Sequence, residues 1–97
     1  MNQMKRKPTT PGEILNKEFL EPLNITQRAL ANHIGCDVKV INRIVNEKTS
    51  VTAEMALRLA FAFNTTPQFW LNAQLSVDLY KSLKQLKFRP KQLLKAG

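Results

Sequence analysis

At 97 residues and 43% hydrophobic content, the chain has material for one small core and too little for a second. Its single cysteine and single histidine exclude an internal disulfide and any ordinary four-ligand metal site within one chain. The formal charge of +8 points towards a polyanion, yet residues 1–7 hold three cations and residues 81–97 six, with no acid in either, which leaves residues 8–80 at −1.

Met1 to Lys7 is polar and basic with no apolar stretch behind it, unlike a signal peptide. A cytoplasmic location is expected, and these residues read as a basic tail on a domain spanning residues 8–83. The first helix is expected to begin near Thr10. Pro11 takes the first helical position, where its missing N–H costs nothing, and Glu13 lies close to the positive helix end. Ile14, Leu15, Phe19 and Leu20 supply an apolar face, and Pro22 is expected to end the helix. Leu23-Asn24-Ile25 makes a short connection.

The stretch Thr26 to Lys48 reads as two short helices around one tight turn. Thr26 can accept from the free N–H groups that open a helix, and Leu30, Ala31 and Ile34 recur behind it at helical spacing. Gly35 stops this helix, since a residue without Cβ can take the left-handed conformation of a sharp reversal. Asp37 then caps the second helix. At about 100° per residue, Val38, Val40, Ile41, Ile44 and Val45 fall on one arc and Lys39, Asn42, Arg43 and Asn46 on the other. The polar arc holds cations and amides and no carboxylate. Arg and Lys donate to guanine O6 and N7, and Asn both donates to and accepts from adenine, so this arc suits a major groove. The plain alternative is a solvated helix face; the turn between the helices favours a helix-turn-helix.

On that reading Val38, Lys39, Asn42 and Arg43 contact bases. Gln27 opens the preceding helix, where an amide and the helix N-terminus together can hold a phosphate, and Arg28, Asn46 and Lys48 are further phosphate contacts. His33 and Cys36 invite a base-and-nucleophile reading, but no orienting group or anion site accompanies them, and no catalytic residue is expected. Neither a metal nor another cofactor is expected.

Beyond Thr49-Ser50-Val51, Thr52 caps a helix running to about Phe63, with Glu54 in its first turn. Met55, Leu57, Leu59, Ala60 and Phe63 cover much of its circumference, so it should be the most buried helix. The nearly apolar run from Met55 to Phe63 is broken by Arg58 and falls far short of the ~20 residues of a membrane span. Asn64-Thr65-Thr66 closes this helix, and Thr66-Pro67 opens the last one, to about Leu83. That helix has two apolar stripes. Phe69, Trp70, Ala73, Val77 and Tyr80 lie on one side, Leu71, Leu75 and Leu79 on the other. A monomer buries one stripe, so Leu71, Leu75 and Leu79 are the expected homodimer contact, the roles exchanging if the Phe69, Trp70 and Val77 stripe faces outward; Phe69 and Trp70 read as packing rather than a ligand platform. Residues 84–97 alternate basic and apolar types around Pro90 and form a second basic tail. Strand-like alternation and internal repeats are absent, and the chain reads as all-α with five helices.

The order Thr26-Gln27, Leu30-Ala31, Ile34-Gly35 and Asn46-x-Lys48 resembles the phage-repressor, lambda-repressor-like helix-turn-helix. The flanking stretches PTTPGEILNKEFLEPLNITQ and VTAEMALRLAFAFNTTPQFWLNAQLSVDLY are similar to the HigA subfamily of toxin–antitoxin antitoxins, so the resemblance runs from about Pro8 to Tyr80. It implies a dimer that binds double-stranded operator DNA, represses its own operon and neutralises a HigB-type mRNA-cleaving toxin. A free-standing repressor without a toxin is the alternative. Two positions depart from the family's usual pattern: Glu47 stands where Gly is usual, and Asp37 replaces a hydroxyl N-cap.

Overall fold

The computed structural model describes residues 6–94, so Lys5 and Lys95 of the two basic tails lie outside it. Pro11–Ile14, Leu15–Leu20 and Glu21–Leu23 follow one another without a break and make up α1. After it come α2 (Gln27–Ile34), α3 (Val38–Val45), α4 (Ala53–Phe63) and α5 (Pro67–Gln85). The described residues contain no strand, and the all-α, five-helix architecture is the one expected.

The helix starts are those the sequence marks. Thr10, Thr26, Asp37, Thr52 and Thr66 each hold extended backbone and accept a hydrogen bond from an N–H in the first turn. Each such cap contributes about 1 kcal/mol. At Thr10 the bond is reciprocal, because Glu13 Oε1 accepts from the Thr10 N–H. Pro22, however, does not end α1. It sits inside the last turn, and Asn24, at φ 57°, ends the helix. A proline ring collides with the carbonyl four residues back and offers no donor in return. The helix accommodates it by widening: Leu15–Leu20 is π-helical, and the Glu21 N–H donates to Asn16 O.

Leu15, Ile41, Leu59 and Trp70, from four different helices, are all fully buried and meet in one core. The Trp70 indole N–H is satisfied at 2.8 Å by Thr65 Oγ1, and Phe19 packs between the rings of Phe63 and Trp70. In α4 Met55, Ala56, Leu59 and Ala60 point inward, but Leu57 and Phe61 are exposed. That helix therefore has one buried face instead of being enclosed, because only α2 and α5 cover it substantially. On α5 the Trp70 and Val77 stripe is the buried one, and Leu75 and Leu79 face outward. Leu71 departs from its expected place on the outer stripe, being half-buried against the core. Beyond Gln85, residues 86–94 are non-helical and exposed throughout. The radius of gyration of 16.2 Å exceeds the about 12.5 Å of a compact chain of this length, as a projecting segment requires.

The start of α1 touches the end of α3 with no side chain between them. A Cβ on Gly12 would stand 2.0 Å from the carbonyl oxygen of Ile44, so only glycine permits this approach. The end of α3 is thus held against the start of α1, which fixes the direction in which the opposite, polar face of α3 points.

Candidate nucleic-acid interface

α2 and α3 are joined by Gly35, which is left-handed at φ 76° as the sequence requires. Its N–H and that of Cys36 both return to Ala31 O at 2.9 Å, closing the C-terminus of α2. Asp37 Oδ1 then accepts from the Lys39 N–H at 2.8 Å and starts α3. Ile41 and Ile44 are buried, while Val38, Val40 and Val45 pack half-buried around them. This burial rotates Lys39, Asn42 and Arg43 into solvent.

These residues form one surface with the start of α2. Asn42 Nδ2 donates to Gln27 Oε1 at 3.2 Å, tying α3 to the first residue of α2. Gln27, Val38, Lys39, Asn42 and Arg43 border a single shallow depression. Among the described residues Arg28, Lys39, Arg43 and Lys48 are exposed and pair with no carboxylate, so their charge is available to a polyanion. Asn46 is partly engaged, since its side-chain amide donates to Asn42 O at 3.0 Å. Glu47, the position usually held by glycine, adopts φ 59°, and Lys7 Nζ lies 3.2 Å from its carboxylate. Asp37 spends its carboxylate on the cap.

Three positions that hold this surface in place carry no role in the sequence reading. Arg58 Nη1 donates to Ile34 O at 2.9 Å and Gly35 O at 2.8 Å, while Nη2 donates to Glu54 Oε2 at 2.6 Å, so α4 clamps the turn between α2 and α3. A lone charge inside an otherwise apolar helical run is the signal that a partner exists. Gln74 Oε1 accepts from the Val51 N–H at 2.9 Å and so anchors the loop after α3 to α5. Gly12 is the third. Cys36, beside this turn, is half-buried, and burial pushes its thiol up against the opposing pull of Arg58; a thiol so raised is a poor nucleophile at neutral pH.

The chain is similar to proteins with this architecture. The helix-turn-helix family model matches residues 17–70. An uncharacterised helix-turn-helix transcriptional regulator of Haemophilus influenzae is 48% identical over 77 residues, covering 79% of this chain and 72% of that protein. Antitoxin HigA-1 of Vibrio cholerae is 44% identical over 80 residues, covering 82% of this chain and 75% of the antitoxin. Among solved structures, the Pseudomonas aeruginosa antitoxin HigA with the higBA promoter superposes with a TM-score of 0.80 at 36% identity, over 90% of this chain and 99% of that one. With the HigA antitoxins, this chain belongs to the helix-turn-helix family.

Proposed function

We propose that this chain is a DNA-binding antitoxin that represses its own operon as a homodimer and neutralises a HigB-type mRNA-cleaving toxin in the cytoplasm. The observation that carries the DNA part is the bond between Asn42 and Gln27. It orients the amide that reads a base from the residue that grips the adjacent phosphate, so both contacts are set before DNA arrives. Val38, Lys39, Asn42 and Arg43 face the base edges of double-stranded operator DNA. Gln27, Arg28, Asn46 and Lys48 hold the backbone on either side.

Replacing Arg43 by alanine should cost about 1–3 kcal/mol on the operator and much less on random DNA, as loss of a good base contact does. Titration of both duplexes at one salt concentration measures it. Equal losses would move Arg43 to the backbone contacts.

The toxin part draws its support from the Vibrio cholerae relative, which is named an antitoxin. A repressor without a toxin is the competing reading, and the Haemophilus influenzae relative, named a transcriptional regulator, favours it. Co-expression with the neighbouring reading frame separates the two. A small ribonuclease that copurifies and is inactive in the complex supports the antitoxin; a neighbour that neither binds nor arrests growth leaves the repressor.

A further inference from the structure

Val38 and Lys39, at the leading end of α3, follow directly on a carboxylate, Asp37. We propose that Asp37 is a specificity-determining residue for the operator, whose second oxygen accepts a hydrogen bond from the N4 amino group of a cytosine in the major groove. The proposal rests on the DNA-binding reading and names a base that this surface selects.

The other four helices start on a threonine, whose single side-chain oxygen accepts from the N–H three residues on. Asp37 differs in both respects. Its Oδ1 accepts from the N–H two residues on, that of Lys39, at 2.8 Å, which draws the carboxylate towards the polar arc of α3. A carboxylate also carries a second oxygen and about four acceptor positions in all, of which the cap takes one. Among the described residues no ion pair or further side-chain hydrogen bond engages Asp37. Arg58, the cation of this turn, is committed to the Ile34 and Gly35 carbonyls and to Glu54. An exposed anionic acceptor therefore stands at the end of α3 from which a recognition helix contacts base edges.

On DNA such an acceptor is selective. Phosphate oxygens are anionic and repel it, so it favours the groove floor over the backbone. Of the groups on the major-groove edges only the amino groups of cytosine and adenine donate, and adenine sets its N7 acceptor beside its amino group. Guanine offers two acceptors there, and thymine an acceptor and a methyl group. A carboxylate at this place thus favours cytosine, tolerates adenine and opposes guanine and thymine. Lys39 and Arg43, which donate to guanine, complement it with the opposite preference.

The test is Asp37→Asn, which keeps the size and the cap and removes the charge. Binding sites are selected from a pool of randomised duplexes by the parent chain and by the variant at one salt concentration. The expected result is one position per half-site at which the parent selects cytosine and the variant does not. Changing that cytosine pair to a thymine pair should weaken the parent about tenfold and the variant less than about threefold. Asp37→Ser, which also caps, should lose the cytosine preference too, and both variants should keep the parent's urea midpoint. Identical base preferences in all three proteins would overturn the proposal. So would a gain in affinity that is equal on every sequence, since Asp37 would then act only by repelling the backbone. Either result leaves the DNA-binding reading standing, whereas a parent chain that selects no sequence overturns both.

Discussion

Glu47 and Gly12 sit near one another in the fold and carry opposite backbone problems. Glu47 is held at φ 59°, where an L-residue with a side chain is less stable than glycine. The cost of that conformation is about 1 kcal/mol, and the exposed pair with Lys7 offsets only part of it. Glu47→Gly is therefore expected to raise unfolding stability by about 0.5–1 kcal/mol, read as a higher urea midpoint at constant slope. At Gly12 the added atom has nowhere to go, because the obstacle is the backbone carbonyl of Ile44 and not a flexible side chain. Gly12→Ala should cost about 1–3 kcal/mol as an overpacking change, and it should weaken operator binding by displacing the end of α3. A Gly12→Ala protein as stable as the parent would mean that α1 and α3 separate freely, and the fixed placement of α3 would fall with it.

The helix pair α2 and α3 owes its geometry to an element outside it. Arg58 on α4 is the only described side chain that donates to the carbonyls of the turn, and its second nitrogen is held by Glu54. Arg58→Met keeps the aliphatic stem and removes the donors, so the carbonyls of Ile34 and Gly35 lose a charged partner. The expected loss is about 1.5–3 kcal/mol in urea unfolding, the range for hydrogen bonds to charged groups. Arg58→Lys should recover only part of it, since one ammonium cannot span the planar fork. A loss within error for both variants would show that the turn holds itself.

This clamp marks the boundary of what the sequence makes legible. Caps, Gly35 and the two arcs of α3 follow from local chemistry, and each is found where the spacing puts it. Arg58, Gly12 and Gln74 act on partners 23 or more residues away, which periodicity does not encode. Pro22 failed as a stop signal for a related reason. The widened turn that tolerates it is a response of the whole helix to one residue, invisible when that residue is read alone. Leu57 is exposed although its spacing groups it with the inward residues, because helical spacing identifies apolar residues but not how many neighbours a helix has.

At the scale of the molecule, α3 has eight residues, about 12 Å of helix, a length that can span only a few base pairs. Useful specificity needs a second copy placed about one DNA turn away, ~34–36 Å, and a two-fold dimer supplies it. The outer face of α5 is the surface proposed for that contact. Trp70 and Val77 are buried on the opposite side, while Leu75 and Leu79 remain about half exposed and Leu83 continues their line. Leu71 contributes less than its spacing suggests, because it already packs on the core. Leu75→Asp separates interface from core. At 54% exposure in the single chain, Leu75 can become a carboxylate without burying charge in its own domain. In a two-fold interface the same change buries two like charges near the axis. The variant should keep its helical circular dichroism, sediment as a monomer at low micromolar concentration and bind the operator more weakly, because two α3 helices no longer arrive together. If it remains a dimer with full operator affinity, this face is not the interface, and the spacing of the two reading helices must be set elsewhere on the molecule.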